Sequence, residues 1–274
     1  MGLGGNLMWA AVFREIWKQK KNPKLKIIPI NNNNICRSEM WINNPYITYD
    51  INYKPQLLLN IGYSGHGTII PGASTWQYDK YIDDSHIIYN RCLHYRISNP
   101  KIKCDLFFTK DEINKVTNYL KKLPEKFIII EPHSKDTYKK NNYYPFNKWQ
   151  NIRKSITKYP IVQVGKGGKR ILDNVINMTG KLSFRETAYL ISKCVFFLGT
   201  EGGLGHCCNA VNSPGLIIVP PMYHPNLIKY DNIQYIWLGT KEHSRCGMKV
   251  KCQKCHHIIN NHNEKTIIKI INEF

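Results

Sequence analysis

Carboxylates are the scarce side chains of this sequence: 19 Asp and Glu stand against 39 Lys and Arg, a formal charge of +20 over 274 residues. That excess fits a polyanionic partner such as nucleic acid or an anionic glycolipid surface. It fits equally a composition rich in Lys, Asn and Ile from an A·T-biased genome, in which Lys outnumbers Arg for coding reasons. Also missing is any apolar run near the ~20 residues of a membrane-spanning helix, so no membrane span is expected. The N-terminus has neither the apolar core nor the small-residue cleavage site of a secretory signal. Cysteine is neither dense nor even in number: of nine, six (Cys36, Cys92, Cys104, Cys194, Cys207, Cys208) are scattered through segments that pattern as core or element edges. This excludes a secreted disulfide framework and points to a reducing, cytoplasmic setting. With 42% hydrophobic residues the chain buries real cores, which excludes disorder as its main state.

What is present is alternation. Short apolar runs bounded by turn residues alternate with helical patterns, the signature of an α/β fold with a parallel sheet. Strands are predicted at 26–30, 56–61, 105–108, 127–131, 160–164, 195–198 and 215–219, and helices at 7–20, 111–122, 145–157, 184–193, 204–211 and 264–272. Ser183 and Glu186 have the spacing of a capping box, and Pro145 suits a first helical turn. The polar helix at 111–122 looks like a connector, which places a domain boundary near Leu123. The opening residues, Gly2-Leu-Gly-Gly-Asn-Leu, read as a glycine-rich turn entering an amphipathic helix. This is phosphate-loop geometry without its usual preceding strand. Either the chain is truncated or the first sheet lacks its founding strand.

Two loops carry candidate chemistry. The strand predicted at 195–198 runs into Thr200, Glu201, Gly202 and Gly203 and then a helix, which sets these residues at the carboxyl end of a parallel strand, where open α/β sheets bind ligands. The glycines admit a ligand to the backbone, and the helix start favours negative charge on it. Glu201 fits an acceptor of ribose or sugar hydroxyls, and His206 a donor to phosphate; a tight strand-helix turn with a core histidine is the competing view. The second loop follows the strand at 127–131, where Ser134, Lys135, Lys139 and Lys140 offer a hydroxyl and cations to phosphate oxygens. Alone it is a solvated basic loop; beside the first it makes one anion site. Lys169 and Arg170, after two glycines, lack the Walker spacing and read as solvated.

The order "IIIEPHSK…YYPFNKWQNI", "IVQVGKGG" and "TGKLSFRETAYLISKCVFFLGTEGGLGHCCNAVNSPGLIIV" resembles the C-terminal half of glycosyltransferase family 9, the heptosyltransferase-like enzymes, and "GLGGNLMWAAVFREI" and "NNPYITYD" extend the likeness into the first half. The resemblance implies an α/β, GT-B-like architecture, with two Rossmann-like domains facing across a cleft: residues 1–122 on the acceptor side and 123–274 holding a nucleotide-sugar donor. It implies metal-independent, inverting transfer to a glycan or glycolipid acceptor of lipopolysaccharide type; a hydroxylated base in DNA, and a non-catalytic nucleotide-sugar-binding module, are the alternatives. Thr200, Glu201, Gly202, Gly203 and His206 match the family's donor loop, Ser134 a hydroxyl residue of its phosphate loop, and Lys139 or Lys140 approximates its lysine.

One position departs. Where the family usually reads Leu-Gly-Asp, with Asp the expected base, this chain has Gly4, Gly5 and Asn6, and neither glycine nor an amide takes a proton from a hydroxyl near neutral pH. Another carboxylate supplies the base, or the acceptor carries its own activation, or the protein does not catalyse. Asp83, Asp84 and His86 are the candidates for the first case. The second chemical signal is Cys246, Cys252 and Cys255 with His243, His256 and His257 nearby, enough for a structural Zn²⁺ or an iron site in a cysteine-rich hairpin at 243–257. Some members of the resembled family carry such a segment before the last helix; free thiols in a surface hairpin are the alternative.

Overall fold

A computed structural model describes residues 2–62, 69–70, 80–81, 85–133, 140–222, 224–243, 246 and 250–273. The chain opens on a helix, α1 (Leu3–Lys20), whose residues from Leu7 through Ile16 are all buried. Being apolar nearly all round, it is wrapped by protein and has no solvent stripe. It packs on α2 (Ile87–His94) and α6 (Gly203–Ala210). The glycine-rich turn predicted before residue 7 is therefore helix: Gly4, Gly5 and Asn6 form its first turns. Gly4 is needed there, because a Cβ on it would lie 2.6 Å from His206 Cδ2.

Two sheets and a small ribbon organise the rest. The first sheet has the order β2-β1-β3, with β1 (Lys26–Asn31) parallel to β3 (Gln56–Asn60) and antiparallel to the two-residue β2 (Asn34–Ile35). The ribbon pairs β4 (Ile69–Ile70) with β5 (Lys80–Tyr81). The second sheet is six-stranded and wholly parallel, in the order β11-β10-β9-β6-β7-β8. Its strands are β6 (Ile128–Glu131), β7 (Ile161–Gln163), β8 (Ile176–Asn177), β9 (Phe196–Thr200), β10 (Gly215–Val219) and β11 (Ile233–Trp237). The helices α3 (Lys110–Leu120), α4 (Phe146–Ser155), α5 (Phe184–Ile191), α7 (Gln253–Asn261) and α8 (Lys265–Asn272) complete it. Alternate residues of β6 feed opposite faces, Ile129 into one apolar cluster and Ile128 and Ile130 into another. The first cluster also takes Ile27 of β1 and Leu59 of β3, so one core joins both sheets.

The structure corrects the prediction in four places. Residues 105–108 form no strand. Side chains satisfy that backbone instead: Arg14 donates to the carbonyls of Lys101 and Lys103, Arg185 to that of Phe107 and Asn43 to that of Phe108, while the Cys104 N–H donates to Asn209 Oδ1. The helix α2 was not foreseen; its start is fixed by His86, whose Nδ1 accepts from the Ile88 N–H at 3.0 Å. The strand β11 was passed over because its burial alternates weakly, as an edge strand's does. Of the expected hairpin at 243–257, residues 253–257 are the start of α7, and the other described residues, 243, 246 and 250–252, are in no strand. The capping box of Ser183 and Glu186 is formed, and Thr109 with Glu112 makes a second at the start of α3.

Candidate functional site

The buried strand β9 delivers Thr200, 1% exposed, to the carboxyl edge of the six-stranded sheet. Glu201 continues the ladder, its N–H donating to the Ile218 carbonyl at 2.9 Å, and Gly203 opens α6. The N-cap residues of α6 and α1 are Gly202 and Gly2, so neither helix start has a side-chain cap from its own N-cap position. The two uncapped starts meet, since a Cβ on Gly203 would lie 3.7 Å from the Gly4 nitrogen. Orphan N–H groups and the positive ends of two helix dipoles therefore converge beside the glycine turn.

His206 lies in the first turns of α6, buried, with Nδ1 2.8 Å from the Tyr230 hydroxyl. Burial, beside the Cys104 thiol, keeps that phenol protonated far above its ordinary range, so it stays a neutral hydroxyl able to donate to Nδ1, the arrangement in which the histidine proton lies on Nε2. Asn142 donates from Nδ2 both to the Glu201 carbonyl at 2.9 Å and to Glu201 Oε2 at 2.8 Å. Glu131, at the end of β6, has its carboxyl pKa raised to about 8, by burial first and then by the charge of Glu201.

Among the described residues, the open space lies on the Asn142 side of Glu201. Between His206, Tyr230 and Tyr235 only about 10 Å³ is open. On the other side a cleft of about 470 Å³ is lined by His133, Lys140, Asn142, Tyr144, Phe146 and Lys169, among others. His133 stacks on Phe146 at 5.6 Å between ring centroids, and the Arg170 guanidinium lies 4.0 Å from the same ring. Lys169, read from sequence as solvated, is thus part of the cleft wall, whereas Arg170 is exposed as expected and reaches the Phe146 ring; the signal that would have found Lys169 is its place in the loop after β7. Lys140 is on the cleft, whereas Ser134, Lys135 and Lys139 lie outside the described residues.

The N-terminal positions are engaged in packing. The Gly5 carbonyl accepts from Arg91 Nη1 at 2.8 Å; Asn6 donates from Nδ2 to Ser38 Oγ at 3.0 Å and accepts at its carbonyl from Trp41 Nε1 at 2.7 Å. Asp83 and Asp84 lie outside the described residues. The pKa of His86 is lowered to about 3, by burial and then by the neighbouring His206 and Arg91. With Nδ1 accepting the helix-capping bond, its proton sits on Nε2, which leaves that edge of the ring a hydrogen-bond donor.

Away from the cleft floor, His243, Cys246, Cys252 and Cys255 bring one ligand atom each to within 4.8 Å of one another. His243 Nε2 is 3.1 Å from Cys255 Sγ and 3.5 Å from Cys252 Sγ, against the ~3.6 Å nitrogen–sulfur edge of a tetrahedral zinc site. The donor set fits a structural Zn²⁺ or iron. Its spacing is His-x2-Cys followed by Cys-x2-Cys, so the partner of the lone Cys-x2-Cys is a pair that begins with histidine. His256 faces elsewhere, with Nε2 3.2 Å from the Lys140 carbonyl and Nδ1 3.0 Å from the Tyr143 hydroxyl.

The model of Glycosyltransferase family 9 (heptosyltransferase) matches residues 93–256, more than half of the chain. The chain belongs to glycosyltransferase family 9. Among solved structures, a family 9 glycosyltransferase from Veillonella parvula is similar over 100% of this chain and 94% of its own, with a TM-score of 0.66 at 11% identity. TibC, an iron-containing dodecameric glycosyltransferase of enterotoxigenic E. coli, is similar over 100% of this chain and 73% of its own, with a TM-score of 0.65 at 14% identity. That protein has also been solved in complex with ADP-D-β-D-heptose. The E. coli ADP-heptose LPS heptosyltransferase II covers 99% of this chain and 97% of its own, with a TM-score of 0.55 at 12% identity. No curated protein sequence matches. The family 9 fold here is GT-B, two Rossmann-like domains facing across a cleft, as expected from the sequence. Among the described residues, no helix of this family 9 chain is long and apolar enough to cross a membrane.

Proposed function

We propose that the protein is an inverting glycosyltransferase that moves a sugar from a nucleotide-sugar donor of the ADP-heptose kind to a glycan acceptor of lipopolysaccharide type. The observation that carries this is the meeting of two uncapped helix starts at Gly4 and Gly203, beside an acid held by Asn142 and next to an aromatic, cationic cleft. In this reading residues 123–274 hold the donor and residues 1–122 the acceptor. The cleft wall takes the nucleotide, Glu201 accepts hydroxyls, and the helix starts with His206 Nε2–H stabilise the charge that develops on the departing diphosphate. Ser134, Lys135, Lys139 and Lys140 add hydrogen bonds and positive charge on the same side. Gly5 supplies no base, which leaves that role to another carboxylate such as Asp83 or Asp84, or to the acceptor. Loss of a general base slows such a transfer by about 10²–10⁴ and leaves donor binding in place. His243, Cys246, Cys252 and Cys255 would hold a metal that pins its loop; four protein ligands leave no open position for chemistry.

The test is calorimetric titration with ADP and ADP-heptose, with ADP release followed in the same samples. Wild type is expected to bind and to release ADP, and Glu201→Ala and His206→Ala each to weaken binding about tenfold or more with the melting temperature kept. Unchanged affinity in both variants removes the donor-site assignment.

A further inference from the structure

The segment from Lys140 to Tyr144 is tied on one side to the cysteine-rich region and on the other to the donor acid. Asn141, 0% exposed, straddles a metal ligand: its Oδ1 accepts from the Cys252 N–H at 2.7 Å and its Nδ2 donates to the Val250 carbonyl at 2.8 Å. The Lys140 carbonyl faces His256 Nε2 at 3.2 Å, next in sequence to the ligand Cys255. The Tyr143 hydroxyl is 3.0 Å from His256 Nδ1 and 3.1 Å from Asn260 Oδ1, and the Tyr144 hydroxyl is 2.9 Å from His262 Nδ1. Four of the five residues thus face α7 and the chain just before and after it. The fifth, Asn142, 3% exposed, holds the Glu201 carbonyl and carboxylate.

We infer that the His243/Cys246/Cys252/Cys255 centre positions the donor acid: fixing Cys252 fixes Asn141, and through it Asn142, which sets the rotamer of Glu201. Asn141 and Asn142 are positioning residues. The physical reason is that both amides are buried, so rotation of Asn141 breaks its bonds to Cys252 and Val250 and rotation of Asn142, at the edge of the cleft, breaks its two bonds to Glu201. An ion that holds four ligands in one geometry constrains the backbone of Cys252 more tightly than the thiols alone, and the strap is too short to absorb movement at one end. The affinity part of this inference rests on the donor reading given above; the coupling itself does not.

The experiment compares the metal-loaded protein, reconstituted with Zn²⁺ alone if purified without metal, with the chelated protein, Cys252→Ser/Cys255→Ser and Asn141→Ala. Amide hydrogen exchange is read in peptides covering residues 201–206, and affinity for ADP-heptose is read by calorimetry. Metal loss is expected to speed exchange at 201–206 at least tenfold, to leave peptides of β1 and β3 unchanged, and to weaken ADP-heptose binding about tenfold. Asn141→Ala is expected to do the same with its metal content intact. In a Glu201→Ala background, metal removal is expected to change affinity no further, which a general loosening would not produce. Exchange at 201–206 that stays within twofold after metal loss or in Asn141→Ala overturns the inference, as does failure of the protein to take up Zn²⁺ or iron. Should exchange respond while neither form binds ADP-heptose, the coupling stands and the donor reading falls.

Discussion

Glu131 ends β6 opposite Gly199 of β9, and Glu201 follows on the same face of the sheet because its own N–H keeps the ladder to β10. Two carboxyls therefore share one edge, and burial together with the neighbouring Glu201 makes Glu131 hard to ionise. With Glu131 raised from 4.5 to about 8, the folded protein holds a proton there that the unfolded chain has released. Between these values the native state binds more protons, so stability falls as pH rises through that window and is flat with respect to this group below it. Glu131→Gln keeps the shape and removes the titration. It is expected to flatten the melting temperature against pH above 4.5 and to raise it most near pH 8.5, by about 2–4 °C for each kcal/mol relieved. A variant profile parallel to wild type would show that Glu131 titrates normally. None of this was visible in sequence, where Glu131 is only the last residue of an apolar run; the pairing depends on which strand becomes the neighbour of β6.

At the scale of elements, the site rests on how closely α1 approaches α6. Gly4 and Gly203 let the two helix starts touch, and a methyl group at Gly4 would lie 2.6 Å from His206 Cδ2 and 3.4 Å from the Gly203 Cα. Gly4→Ala must push the helices apart or turn His206 away from Tyr230. The expected cost is about 1–3 kcal/mol of stability, with weaker ADP-heptose binding that exceeds what the melting shift alone implies; wild-type values for both would mean the contact yields freely. The strand–glycine–helix turn at 200–203 was legible, because strand, glycines and helix are consecutive in sequence. The start of α1 was not: Gly4 and Gly5 have the composition of a phosphate turn, and only the contact with α6, about 200 residues away, explains why they are helical. The metal set was half legible for a similar reason. Cys-x2-Cys announces itself locally, whereas choosing His243 over His256 requires knowing that α7 starts at Gln253 and turns His256 towards Tyr143.

The whole molecule is held together by buried arginines as much as by its shared core. Arg185, on α5, is 2% exposed; its guanidinium meets Glu112 Oε1 at 2.5 Å and Oε2 at 2.9 Å, and donates to the carbonyls of Phe107 at 2.5 Å and Glu39 at 3.0 Å. One side chain thus ties α5 to α3, to the extended 101–109 segment and to the short helical turn Glu39–Trp41 between β2 and β3. Arg14 does the same from α1, through Asp105 at 2.6 Å and two carbonyls of that segment. Since one apolar cluster includes Ile27 and Leu59 with Val162 and Phe197, the two sheets are expected to melt together. Arg185→Met keeps the bulk of the side chain but removes the guanidinium from Glu112, which retains the Thr109 N–H on Oε2, and from two carbonyls, a loss of about 3–5 kcal/mol by analogy with other broken buried pairs. For a chain of this size that corresponds to roughly 6–20 °C in melting temperature. Scanning calorimetry checks both statements: a single transition displaced by that amount is expected. A shift under ~2 °C would show that water replaces the guanidinium at little cost, and a transition split in two would show that the arginine, and not the apolar cluster, makes the halves cooperative.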